Sequence, residues 1–221
     1  MPEGSLTVSR VTLLSSLVVL SLFLGLVQSH AQAPGAEILV GTAVPMPVID
    51  GQWESQRGEW GNAIEYTIPI GAQNANSNPS IRLMHDNRTL YGLIDIPSDL
   101  GTNNGLVVLT FYTISSAMNQ NATVSFSTNQ TNLVSVHVTS PMANSILPHI
   151  RVATSLSTTV HSQSNHRVWE FSIQLYPFLV RNVLDGARLG FQVTLTDSTG
   201  NQVSLEDANQ TAEMFFLENV A

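Results

Sequence analysis

Eleven short runs rich in β-branched and aromatic residues, each closed by a Gly, Asn, Pro or Ser cluster, leave this chain few ways to fold. They are EILVGTA (37–43), AIEYTIPI (63–70), SIRLMHD (80–86), TLYGLIDI (89–96), LVVLTFYTI (106–114) and ATVSFST (122–128). After these come LVSVHVT (133–139), IRVATSL (150–156), RVWEFSIQLY (167–176), ARLGFQVTLTD (187–197) and AEMFFLE (212–218). After the N-terminal 30 or so residues no segment carries the i, i+3, i+4, i+7 stripe of a long helix, so the expected class is all-β. The expected architecture is an antiparallel β-sandwich, jelly-roll-like, with at most a short helix. That helix is placed on LYPFLVRNVLDG (175–186), where Gly186 fits a C-terminal cap.

Alternation assigns faces. In VWEFSIQLY, Trp169, Phe171, Ile173 and Leu175 share the core side, and Glu170, Ser172 and Gln174 share the other. Phe191, Val193 and Leu195 alternate with Gln192, Thr194 and Thr196 in the same way. Both strands are therefore expected to have one wet face. TDSTGNQ (196–202) has the composition of a hairpin turn. The polar stretches GAQNANSNPS (71–80) and TSPMANSILP (139–148) read as loops able to rim a site.

The chain opens differently. Val11 to Val27 is uncharged and mostly apolar, Arg10 precedes it, and small residues follow at Ser29, Ala31 and Ala33. Residues 1–31 thus read as a secretory signal peptide, with an uncleaved anchor as the alternative because the run approaches the roughly 17-residue minimum for a span. Residues 32–36 form a linker and 37–221 the sandwich, leaving no transmembrane segment after cleavage. The expected location is secreted or cell surface. Sequons at Asn87, Asn121, Asn129 and Asn209 are glycosylation candidates in that setting.

Composition narrows the chemistry. The 221 residues are 43% hydrophobic and 11% charged, which suits a globular core. Eight basic residues, all Arg, face sixteen acids, for a formal charge of −8. No basic track for a phosphate backbone exists, so nucleic acid is not an expected partner. Without cysteine, disulfides and thiolate metal sites are excluded.

Four segments, in order, resemble family 9 carbohydrate-binding modules. VIDGQWESQRGEWGNA (48–63) is similar to the family's Ile-Asp-Gly opening with a later Glu-Trp pair. IRLMHDNRTLYGLIDIPSD (81–99) resembles its strand, Asp-containing turn, Leu-Tyr and second strand. VWEFSIQLYPF (168–178) resembles the segment in which a Glu leads an aliphatic strand, and ARLGFQVTLTDSTG (187–200) the Gly-Phe strand and its turn. A departure stands before the central strand, where the family's Gly-Asp pair is replaced by Gly105-Leu106. The resemblance implies a β-sandwich of the wider DOMON-like group and an exported, non-catalytic domain that binds poly- or oligosaccharide. It also implies association with extracellular carbohydrate breakdown by a separate secreted glycosidase.

Family sugar sites hold a glycan end between tryptophans. Here Trp60 falls on a motif position that packs, and Trp169 alternates with core residues, which leaves Trp53 for a ligand. A ring packs on pyranose C–H groups while acids, amides and arginines read the hydroxyls. The expected sugar-binding set is Trp53, Tyr91, Asp95 and Arg82. The acid pairs Asp95 and Asp99, Glu54 and Glu59, and Glu206 and Asp207 have no glycosidase context, so no catalytic residue and no enzyme activity is expected.

No cofactor is required by this reading, and no metal-ligand set is assigned. DSTGN and SLEDAN leave calcium open while lacking the full loop pattern. The alternatives are a haem-binding electron-transfer domain, with Met84, His85, Met142 or His149 as axial ligands, and a structural cell-surface glycoprotein.

Overall fold

The computed structural model describes residues 37–53, 58–68, 78–86, 88–101, 104–112, 121–129, 131, 133–141, 143–175, 188–205 and 212–216. Among them twelve strands form. They are β1 (Glu37–Thr42), β2 (Ile64–Thr67), β3 (Ser80–His85), β4 (Thr89–Ile96), β5 (Leu106–Tyr112) and β6 (Ala122–Thr128). The rest are β7 (Val134–Thr139), β8 (Ile150–Ser157), β9 (His166–Gln174), β10 (Arg188–Thr196), β11 (Gln202–Ser204) and β12 (Ala212–Phe216).

Two sheets form the sandwich. The first runs β7-β6-β5-β10-β12-β1, with β11 beside β10, and the second β1-β3-β4-β9-β8, with β2 beside β3. Their pairings are antiparallel except around β1, which lies parallel both to β12 and to β3. Residues 37–40 of β1 pair with β12, and residues 41–42 pair with β3. One strand thus turns the corner between the sheets, a known way to close a sandwich edge.

The core lies between the inner faces, where the expected alternation holds. Val107, Leu109 and Phe111 of β5 face it, as do Phe191, Val193 and Leu195 of β10. From the second sheet come Ile81, Leu83, Leu90, Ile94, Trp169 and Phe171. The rings interlock across the gap: Phe126 lies 5.5 Å from Phe171 and 6.4 Å from Trp169, centroid to centroid. Gly92 belongs to this packing, because a Cβ there would stand 2.1 Å from the Phe171 ring.

The outer faces differ. On the first sheet, alternate residues of β5, β6 and β10 stay half-exposed, as the pattern predicts. On β9, however, every residue from His166 to Ile173 is buried, including Glu170. The expected wet face of this strand is covered, because residues 43–53 and 58–63 lie across it and build a second apolar cluster. That cluster joins Ala43, Trp60, Met84, Tyr91, Leu93 and Val168, with Ile49, Trp53 and Ala63 packed against it.

One local reading changes. The stretch 139–148, expected as a loop, contains a short helix, α1 (Ala143–Ile146), and a 3-10 turn at Leu147–His149, with Ile146 buried as its anchor. Residues 176–186 of the expected helix and 71–77 of the expected loop at 71–80 lie outside the described residues. The hairpin turn is as expected: Asp197 accepts from the backbone N–H groups of Thr199 and Asn201 and from both their side chains. Those bonds outweigh the upward push of burial and hold its carboxyl below the usual value.

Candidate functional site

The covering segment is fastened by one carboxylate. Glu170 Oε2 accepts from Asp50 N at 2.8 Å and Gly51 N at 2.7 Å, while Oε1 accepts from Trp60 Nε1 at 2.9 Å. The Asp50-Gly51 turn and Trp60 therefore meet the same side chain. Gly51 makes this approach possible, having φ of +79° and no Cβ to strike the Thr154 backbone at 2.8 Å. Its carbonyl accepts from Ser155 Oγ. Burial pushes the Glu170 carboxyl up to about 7 against the downward pull of its three donors.

Beside this anchor, Trp53 lies half-buried at the segment's exposed edge. The Arg82 guanidinium sits over its ring, 4.2 Å from the centroid. Arg82 and Glu65 are direct partners in the β2–β3 register, and the guanidinium donates twice to Glu65 Oε2, at 3.1 and 2.6 Å. His161, from the loop between β8 and β9, brings Nε2 to 2.5 Å from Glu65 Oε1. Burial pushes the Glu65 carboxyl up, yet the bonds and charge of Arg82, with His161 alongside, prevail and hold it below its usual value. A ring, a guanidinium, a carboxylate and an imidazole thus meet on one rim, each with some access to solvent.

Of the four residues expected to bind sugar, Trp53 and Arg82 are in contact. The other two lie in buried networks. Tyr91 packs in the second apolar cluster, and its hydroxyl donates to Asp86 Oδ2 at 2.8 Å. Burial and that acceptor push the phenol up to about 12. Asp95 is fully buried: Oδ1 pairs with His166 Nε2 at 2.5 Å, and Oδ2 accepts from Thr159 Oγ1 at 2.6 Å. Although burial disfavours the charged ring, Asp95 and the Ser164 carbonyl hold His166 above its usual pKa. Through Thr159, Asp95 ties the loop bearing His161 to β4.

Asp99 does not join Asp95. It is paired instead with the fully buried Arg167, whose Nε lies 3.5 Å from Asp99 Oδ2. Glu54, Glu206 and Asp207 lie outside the described residues. Among the described residues no three His, Asp or Glu side chains gather as a metal site would require. Met84 and His85, named as haem ligands, are both fully buried, and His149 ends the 3-10 turn. Met142 is outside the described residues, as are Asn87 and Asn209. Asn121 and Asn129 are exposed at the two ends of β6.

No protein-family model matches the chain, and no curated protein matches it. Solved structures do. A family 9 carbohydrate-binding module from Caldicellulosiruptor kristjanssonii in complex with glucose aligns with a TM-score of 0.53 at 16% identity, over 84% of this chain and 98% of the module. A structure of a family 9 module from the same organism in complex with cellotriose gives 0.50 at 15% identity, over 83% and 94%. This chain has the family 9 carbohydrate-binding module fold.

In this family 9-like domain, Trp60 and Glu170 serve the fold, joining the Ile-Asp-Gly segment to β9. Glu65 was missed in the sequence. Its signal was its place opposite Arg82, which becomes visible only when β2 and β3 are set in register. His161 and His166 lie close together in the sequence, yet the structure sends the two rings to different carboxylates.

Proposed function

We propose that this domain is a non-catalytic carbohydrate-binding module whose ligand meets the rim formed by Trp53, Arg82, Glu65 and His161. The observation that carries the reading is the half-exposed Trp53 ring beside a guanidinium already oriented by Glu65. A sugar gains apolar contact from the indole and hydrogen bonds from the charged groups, which their mutual bonds hold in place. Tyr91 and Asp95 support this rim from behind, one beneath the covering segment and one through His166. The family 9 fold, solved elsewhere with glucose and with cellotriose, supports the ligand class.

In the same proposal, residues 1–31 export the protein, residues 37–221 bind poly- or oligosaccharide outside the cell, and a separate secreted glycosidase works beside it. The test is the melting temperature of the purified protein with increasing glucose or cellotriose. A native-state ligand at about 100 times its Kd adds about 2.7 kcal/mol. The expected result is a dose-dependent rise that Trp53→Ala abolishes. No rise with either sugar, or a rise unaltered in Trp53→Ala, would reject the rim as their site.

A further inference from the structure

The outer face of the first sheet lies across the sandwich from Trp53. Strand register sorts its side chains into rows. One row reads Gln192, Thr110, Thr123 and Thr139 across β10, β5, β6 and β7. The next reads Ser204, Thr194, Val108, Ser125 and His137. A third reads Gln202, Thr196, Leu106, Ser127 and Ser135. All of these residues are half-exposed or exposed, and none is Arg, Asp or Glu. In a chain of charge −8, three successive rows over five strands without a carboxylate or guanidinium form a distinct surface.

The hydroxyls are also ordered among themselves. Thr110 and Thr123 place their Oγ1 atoms 3.4 Å apart, Thr194 Oγ1 and Ser204 Oγ are 3.2 Å apart, and Tyr112 donates to Gln192 Oε1 at 3.1 Å. Interstrand spacing makes the array about 19 Å wide, and the three rows span about 14 Å along the strands. Each hydroxyl both donates and accepts.

Chemistry selects the occupant. Nucleic acid, an anionic membrane and charged peptides need countercharge that these rows lack. Two aliphatic side chains, Leu106 and Val108, are too few for the buried centre of a protein interface. The backbone groups of β5, β6 and β10 are committed to neighbours on both sides, so no added strand can pair there. What matches is a partner that is itself extended, uncharged and covered in hydroxyls. We infer that this face is a second binding surface, along which internal stretches of an uncharged polysaccharide chain lie.

Co-sedimentation of the full protein with microcrystalline cellulose and with chitin tests this. At least one polymer retains the protein, equally in 0.1 M and 1 M NaCl, because no charge contributes. Thr110→Arg/Ser125→Arg lowers retention tenfold or more and Thr123→Val/Ser125→Ala lowers it without added charge, both in the wild type and in a Trp53→Ala background where the rim no longer contributes. Melting temperatures establish that each variant is folded. No retention of the wild type, retention lost in high salt, or retention unaltered in both face variants would each overturn the proposal. The cellotriose melting shift reads the Trp53 rim separately, so either site can fail without the other.

Discussion

Glu170 offers the sharpest test of the physical reasoning, because two opposing effects act on one buried carboxyl. Burial favours the neutral acid, whereas Asp50 N, Gly51 N and Trp60 Nε1 all donate to the carboxylate. Burial prevails, with a native pKa of about 7 against an ordinary 4.5. The difference corresponds to about 3 kcal/mol. Since the native value is the higher one, the folded protein holds an extra proton between those two pH values. The contribution to stability is full below about pH 4.5 and is lost as pH rises through about 7. Glu170→Gln removes this titration while keeping the shape. Its amide oxygen still accepts from Asp50 and Gly51, but its NH2 group opposes the Trp60 N–H, at a cost of about 1–3 kcal/mol. Urea unfolding of both proteins from pH 4.5 to 8.5 reads the difference, and groups common to both cancel. The wild-type advantage is expected to shrink by about 3 kcal/mol across that range. An advantage that stays constant or widens with pH would refute the argument and mean that the three donors outweigh burial.

Other substitutions probe separate parts of the molecule. Asp95→Asn leaves the buried His166 without its carboxylate and is expected to cost about 3–5 kcal/mol in urea unfolding at pH 6. His166 titrates above its usual value, so its contribution is present below about pH 6.5 and fades as pH rises through the native value; the variant should flatten that decline. Gly92→Ala drives a methyl group into the Phe171 ring and is expected to cost about 3 kcal/mol, read as a lower melting temperature; an unchanged value would show that the ring can move aside. Asp197→Ala removes the acceptor of the β10–β11 turn and should cost about 1–2 kcal/mol at pH 7. Because the Asp197 pKa is lowered, that loss is full above about pH 4 and disappears as pH falls through the native value, which acid titration of stability measures.

Much of the fold was legible because strands on a sandwich core repeat every second residue. Each of the eleven runs contains a strand, and Trp60 and Trp169 are buried as read. β11 escaped notice, since three residues are too few to display alternation. The polar side of β9 misled for a different reason. Glu170 looks like a wet-face residue until Asp50, Gly51 and Trp60 fold over it, and alternation along one strand carries no information about a distant segment. The candidate rim was half legible: an aromatic in a polar stretch singled out Trp53, but Glu65 depended on register and His161 on the path of a loop. Tyr91 and Asp95 have the residue types of a sugar site, and only packing reveals that both are covered.

The corner strand has a consequence for the order in which the molecule assembles. Glu37 lies opposite Glu213, a separation of 176 positions (213 − 37), while residues 41–42 of the same strand pair with β3 nearby in sequence. The β3–β4 hairpin can form from local chain, but the first sheet gains its β1 edge only after β12 has left the ribosome. Closing so long a loop is entropically costly before any contact rewards it. Joining of the two sheets through β1 is therefore expected to be a late folding event, and a nascent chain still lacking β12 would carry β1 with half of its hydrogen-bonding edge still waiting.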